Sequence, residues 1–222
     1  MKGNSTNNTY SMTAVILANG KFPEHSIPLK LLKEANTIVC CDGAVVKLEK
    51  FGLTPNAIVG DLDSIPSDLK AKYSDRLFHF PDQNSNDLTK AVNWCKNKNI
   101  KYITILGATG MREDHAMGNI GLLCSYAKMG VEVEMVTDYG VFQPVLQSKR
   151  FISFKGQAVS IFSPRNETRV TSRNLEFPLN ELQIPDLWMG TLNNSLGNWF
   201  ELSFAPGPLI VFQSHKQTLE TE

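Results

Sequence analysis

The chain has 222 residues, in which 22 lysines and arginines balance 22 aspartates and glutamates. A formal charge of zero leaves no basic face of the kind that nucleic acids or anionic membranes attract, and no run is long and apolar enough to span a bilayer. A chain of this length buries a proper core as one large domain or two small ones, and a small molecule is the default substrate class that remains.

Residues 1–12 read as a mobile tail: the opening Met1-Lys2-Gly3-Asn4-Ser5 is polar where a signal peptide needs an apolar core, so a cytoplasmic protein is expected. The four cysteines agree with that expectation. Cys40 and Cys41 are adjacent in an apolar run, Cys95 and Cys124 fall on expected helices, and the spacings match no zinc pattern, so all four read as reduced core residues.

From residue 13 onward, short β-like runs alternate with helical patterns. Strands are predicted at 13–18, 37–41, 56–59, 77–80, 101–106 and 131–136, with helices at about 27–35, 43–51, 66–73, 86–98 and 113–129. In the fourth helix, Leu88, Ala91, Val92 and Cys95 recur at i, i+3, i+4 and i+7, which sets an apolar stripe against a sheet and leaves the lysines in water. This alternation predicts an α/β layer domain over 13–145, with a mostly parallel sheet flanked by helices. Near 139–147 the helical periodicity stops. Runs at 150–154, 158–162, 168–171, 199–204 and 209–212, punctuated by turn formers such as Gly156, Pro178 and Pro206-Gly207-Pro208, predict a smaller all-β sandwich over 146–222.

Four aspartates stand just beyond apolar runs: Asp42, the pair in Gly60-Asp61-Leu62-Asp63-Ser64, and Asp87 opening the fourth helix. Asp is also a common turn and cap residue, so each has a plain structural reading. As a set they point to chemistry. An extended segment would aim Asp61 and Asp63 to one side, and magnesium takes one or two carboxylates directly and completes its octahedron with water and phosphate oxygens. In an open parallel sheet, acids at the carboxyl ends of strands lie where ligands bind.

Three further segments carry polar groups. Pro81-Asp82-Gln83-Asn84-Ser85-Asn86-Asp87 leads into the fourth helix, with Ser85 or Asn86 as its cap and free N–H groups to face an anion. Gly107-Ala108-Thr109-Gly110-Met111-Arg112-Glu113-Asp114-His115 follows a strand and precedes a helix. Its glycines permit close backbone approach to phosphate, and Arg112 is a planar hydrogen-bond donor that suits phosphate oxygens, but the segment is neither a Walker loop nor a dinucleotide fingerprint. His115 reads equally as a structural hydrogen bond or a substrate contact, and Asp114 as a cap or as the group that fixes Arg112. Between Trp188 and Trp199, hydroxyl and amide side chains suit either a heteroaromatic ring or a polar hairpin. The residues alone lead to a magnesium-dependent phosphoryl-transfer enzyme with a β-rich module for ligand binding or dimerisation.

The ordered motifs Leu17-Ala18-Asn19-Gly20, Cys41-Asp42-Gly43-Ala44, Gly60 to Ser64, Pro81-Asp82-Gln83, Asn86 to Lys90 and Gly107 to His115 resemble the thiamine pyrophosphokinase family over nearly the whole chain. The resemblance implies an α/β domain that binds ATP and Mg2+, a β-sandwich that helps bind thiamine, and a homodimer with active sites at the interface. It implies transfer of the β,γ-diphosphate of ATP to the thiamine hydroxyl, giving thiamine diphosphate and AMP. By similarity, Asp42, Asp61, Asp63 and Asp87 gather the metal and orient the alcohol. Asn19, Gln83, Arg112, Asp114 and His115 sit with the nucleotide, and Gln83, Phe177 and Ser195 with the substrate. Two departures stand out: Met111 replaces a second glycine before Arg112, and Asn174-Leu175-Glu176-Phe177 with Gly190 to Ser195 replaces the family's Gly-Leu-x-aromatic and Ser-Asn pair. A phosphohydrolase using the same acids on water, or a noncatalytic nucleotide-binding module, are the alternatives.

Overall fold

The computed structural model describes residues 12–216. Residues 1–11 of the expected tail, and the residues beyond 216, lie outside the described residues.

Six strands form the parallel part of the molecule: β1 (Thr13–Leu17), β2 (Ile38–Cys41), β3 (Ala57–Gly60), β4 (Leu77–His79), β5 (Tyr102–Leu106) and β6 (Glu132–Val136). Their spatial order is β6-β5-β1-β2-β3-β4, every pair parallel. The connecting helices are α1 (Ser26–Lys33), α2 (Ala44–Lys50), α3 (Ser67–Lys72), α4 (Asp87–Asn97) and α5 (Glu113–Lys128). Alternation along each strand divides the core in two. Val15, Leu17, Ile38, Cys40 and Ile58 pack with Leu32, Val45 and Leu48 from α1 and α2. Ile16, Val39, Cys41, Val59 and Ile105 pack on the other face with Leu88, Val92 and Cys95 from α4 and Leu123 and Tyr126 from α5. Both faces being covered explains why β2 and β3 are wholly buried and read as continuous apolar runs rather than alternating ones.

The chain leaves β1 for β2, β3 and β4 on one side, then returns to β5 and β6 on the other. The strand order therefore reverses between β1 and β5, and the crevice at their carboxyl ends is where an open α/β sheet accepts a ligand.

The β-rich half follows and shares the large sheet with the α/β half. β7 (Gly140–Val145) pairs antiparallel with β6 and with β14 (Leu209–Ser214), and β9 (Ala158–Phe162) and β12 (Asn193–Asn194) extend the same sheet to ten strands. A second sheet of four strands, β11 (Leu182–Gln183), β10 (Arg169–Arg173), β13 (Trp199–Ala205) and β8 (Lys149–Ile152), completes the β-rich half, whose buried core gathers Phe151, Val159, Ile161, Val170, Phe200, Leu202 and Val211 from both sheets. Strand β7 escaped the sequence reading because Gly140 and Pro144 interrupt it, and proline ordinarily argues against a central strand. Here Pro144 lies beyond the two positions, Val141 and Phe142, that pair with β6, where an absent N–H is tolerated.

Candidate active site

The crevice is a cleft of about 440 Å³ floored by Ala18, Cys41 and Ala108 and walled by residues of five loops. Of the residues singled out from sequence, Asn19, Asp42, Asp61, Gln83, Asp87, Arg112 and His115 line it together. Asp63 joins through the acid cluster and Asp114 through Arg112. Phe177 and Ser195 are not among its lining residues.

Asp42 leaves β2 in the left-handed region, at φ 43°, with its N–H donating to the Val59 carbonyl. Its side chain is almost wholly buried. Oδ2 accepts from the Ser64 N–H at 3.3 Å, while Oδ1 is buried with no hydrogen-bond partner. Burial raises the Asp42 carboxyl above its usual range, with the Asp87 carboxylate adding to the effect and hydrogen bonds from Ser64 and Gly43 opposing it. An orphaned buried oxygen is costly unless a proton or a cation satisfies it.

Asp61 and Asp63 reach Asp42 by a turn, not by the extended segment the spacing suggested. Leu62 between them sits at φ 65°. The turn lets Asp61 Oδ1 accept from the Asp63 N–H at 3.3 Å, and the Ser64 hydroxyl donates to Asp63 Oδ1 at 2.9 Å. That backbone donor is the main reason the Asp61 carboxyl lies below its usual range. One oxygen from each of Asp42, Asp61 and Asp63 lies within 4.8 Å of the others. All three offer hard carboxylate oxygens, Asp42 carries a buried oxygen with no other partner, and the group suits a divalent cation that prefers oxygen.

Asp87 stands outside that trio and has its own partner. Lys90, one helical turn on, donates from Nζ to Asp87 Oδ1 at 3.0 Å and is itself buried. The expected exposure of the α4 lysines therefore fails at Lys90, because the i,i+3 spacing turns it back onto the helix start. Asn86 is the cap of α4, its Oδ1 accepting from the Thr89 N–H at 2.9 Å. Ser85 instead bonds to Asp82. Gln83 reaches Asp61 Oδ2 only at 3.4 Å.

On the opposite wall the loops after β1 and β5 are laced together. Gly20 N–H donates to the Gly107 carbonyl at 2.7 Å and Lys21 N–H to the Thr109 carbonyl at 2.9 Å. A Cβ on Gly20 would overlap both carbonyl oxygens, so only glycine permits this approach. Arg112 is held by Asp114 in a two-pronged pair, Nε to Oδ1 at 3.1 Å and Nη2 to Oδ2 at 2.7 Å. The guanidinium draws the Asp114 carboxyl down to about 2. Three of its five N–H donors remain for a ligand. Met111, in place of a glycine, is exposed on the rim of the cleft.

Sequence reasoning passed over Lys47. Its Nζ donates to the carbonyls of Asn19 at 3.0 Å and Gly20 at 2.5 Å and lies 3.9 Å from Met111 Sδ, and burial lowers its pKa. Nothing in its spacing marks it, since the contact depends on the β1 loop crossing above α2.

In the β-rich half, Ser195 is buried and its hydroxyl donates to the Gly197 carbonyl at 3.0 Å. Phe177 is exposed, its backbone clamped by both ends of the Asn193 amide. Trp188, Leu187 and Leu192 are likewise exposed.

Two family models match the chain: thiamin pyrophosphokinase, catalytic domain, over residues 29–135, and thiamin pyrophosphokinase, substrate-binding domain, over residues 140–212. The chain is 28% identical over 224 residues to thiamine pyrophosphokinase of Bacillus subtilis, an alignment covering 91% of this chain and 98% of the relative. It is 27% identical over 158 residues to thiamin pyrophosphokinase 1 of Caenorhabditis elegans, covering 57% of this chain and 65% of that protein, just under two thirds of its length. The fold is that of the solved structures of the thiamine pyrophosphokinases from Bacillus subtilis (TM-score 0.77, 21% identity, 92% of this chain and 100% of that one) and Candida albicans (TM-score 0.76, 16% identity, 92% and 90%).

Proposed function

We propose, for a chain that belongs to the thiamin pyrophosphokinase family, that it transfers the β,γ-diphosphate of ATP to the hydroxyl of thiamine. The observation that carries this reading is the trio of carboxylates at the cleft: Asp42, which holds a buried oxygen with no partner, and Asp61 and Asp63, which each bring an oxygen within 4.8 Å of an Asp42 oxygen. Asp42, Asp61 and Asp63 would hold magnesium, with Asp87 acting on its water shell or on the alcohol. When bound, the ion supplies charge neutralisation on the phosphate oxygens.

The chain's own groups do the rest by positioning, as phosphoryl transfer requires. The loops after β1 and β5 offer backbone to the nucleotide, with Asn19 and His115 beside it. Arg112, pre-oriented by Asp114, holds phosphate oxygens, and Gln83 faces the acids. The thiamine oxygen forms a bond to the β-phosphorus as the bond from that phosphorus to the α,β-bridging oxygen breaks. AMP leaves with that oxygen. The alcohol proton passes to a carboxylate of the cluster, for which Asp87 is our candidate.

We place thiamine against Phe177 of a second copy of the chain, in a homodimer whose sites form at the interface. The exposed Phe177, Leu187, Trp188 and Leu192 support that arrangement, since exposed apolar groups of this size invite a partner. Ser195 is buried with its hydroxyl donating to the Gly197 carbonyl, so its contact with substrate would require that segment to move. A cytoplasmic location is supported by four cysteines that are free and buried.

Incubation with ATP and magnesium, with and without thiamine, tests the reading by chromatography of AMP and thiamine diphosphate. Equal, thiamine-dependent formation of both is expected. AMP formed without thiamine indicates a hydrolase, and no AMP indicates a binding module.

A further inference from the structure

Helix α5 meets the site through two side chains that the reaction above does not use. Asn119 donates from Nδ2 to the Ala108 carbonyl at 2.9 Å and accepts at Oδ1 from Asn86 Nδ2 at 3.2 Å. Asn86 Oδ1 in turn accepts from the Thr89 N–H at 2.9 Å and the Thr89 hydroxyl at 2.7 Å. The Thr89 and Tyr126 hydroxyls then share a hydrogen bond of 2.7 Å. Asn119 and Tyr126 lie two turns apart on one face of α5, so the chain of bonds returns to the helix from which it started.

This ring joins two parts of the site that no backbone ladder connects. Three successive carbonyls of the loop after β5 are held: Gly107 and Thr109 by N–H groups of the β1 loop, and Ala108 by Asn119. The loop needs holding, since Gly107 and Gly110 both have positive φ and the freedom of glycine. It carries Arg112 on its far end. The other end of the Asn119 amide grips the cap of α4, whose next residue is Asp87.

We propose that Asn119 is a positioning residue, which fixes the Arg112 loop against the start of α4 so that the phosphate-binding and acidic walls of the cleft keep one spacing. The proposal rests on the diphosphate-transfer reading. An amide is the group for this place because one end must donate to a carbonyl while the other accepts from an amide. A carboxylate in its place would repel the Ala108 oxygen, and an aliphatic side chain would release both walls.

The test compares wild type with Asn119→Leu, which keeps the branched side-chain shape without the hydrogen-bonding groups, Asn86→Ser, which keeps a cap but is too short to reach Asn119, and the double variant. For Asn119→Leu we expect kcat to fall about 10- to 100-fold, the size of effect a misplacement of about 1 Å produces, with KM for ATP moved far less. The double variant should lose little beyond Asn119→Leu, because both changes cut the same bond. If Asn119→Leu does not fold, Asn86→Ser alone carries the test, with a reduced kcat supporting the proposal and a wild-type kcat overturning it. An unchanged kcat in Asn119→Leu, a loss confined to KM, or fully additive losses overturn the positioning role while leaving the function intact. A wild-type protein that makes no AMP in response to thiamine overturns the function itself, and this proposal with it.

Discussion

Asp42 and Asp87 approach each other across Gly60, where a methyl group would stand 2.9 Å from Asp42 Cβ and 3.2 Å from Asp87 Oδ1. The absence of a side chain at Gly60 is therefore a condition for the acidic wall. Gly60→Ala should lower turnover about 10- to 100-fold through displaced carboxylates. A steady-state assay across magnesium concentrations checks it, and wild-type kcat in the folded variant would remove the constraint.

Asp61→Asn or Asp63→Asn should reduce turnover strongly with the fold intact, since each removes charge from the proposed metal site. Asp42→Asn should do the same and, in chelator at neutral pH, should melt no lower than wild type. The sign follows from burial. The folded state holds the Asp42 carboxyl above its usual range, so it binds that proton more tightly than the unfolded chain does, and ionisation at neutral pH costs stability. Calorimetry of the two proteins with and without magnesium measures this directly. A lower melting temperature for Asp42→Asn in chelator would contradict it.

Much of this site was legible because its acids follow strands whose apolar runs are unmistakable: Asp42 after β2, Asp61 and Asp63 after β3. The alternation of strand and helix carries the order of the layers, and hence one edge for all of them. What was hidden depends on contacts between distant segments. The turn at Leu62 needs a positive φ that leucine does not advertise. Lys47 acts through the carbonyls of a loop 27 and 28 residues away in sequence. β7 carries a proline and takes its place between β6 and β14, the latter returning from far along the chain.

Lys90 is the buried cation that offsets Asp87. Lys90→Met keeps the stem and removes the charge, leaving the Asp87 carboxylate with one donor fewer beside Asp42. Loss of a charged hydrogen bond at a partly buried site costs about 1–3 kcal/mol. We expect the unfolding free energy to fall by that amount, read as a lower denaturant midpoint at unchanged slope, together with weaker activity. A midpoint equal to wild type would mean that the pair contributes nothing net.

Phe177 presents an exposed ring on a backbone fixed by Asn193, so its truncation should not disturb the core. Phe177→Ala should raise the thiamine concentration needed for half saturation while changing ATP binding less. Thiamine dependence identical to wild type would take Phe177 out of the pocket. Sedimentation of the same variant reports whether the ring also supports the dimer.

The rings of His25 and His215 stack at a centroid distance of 4.9 Å, and His215 Nε2 lies 2.8 Å from the Thr137 carbonyl. Burial lowers the His215 pKa, the Thr137 carbonyl opposes that shift, His25 adds to it and Asp138 opposes it. A histidine whose folded pKa is depressed binds its proton less well in the native state than in the unfolded chain. Its stabilising effect is then complete above the ordinary histidine value of about 6.5 and is lost as pH falls through that value toward the lower one. His215→Gln keeps an amide donor for Thr137 and removes the titration. Melting temperatures between pH 8 and pH 5 should therefore fall more steeply in wild type than in His215→Gln, with the two curves diverging below neutrality. Parallel curves would show that His215 takes up its proton without cost, and that the Thr137 carbonyl and Asp138 outweigh burial at this corner of the sheet.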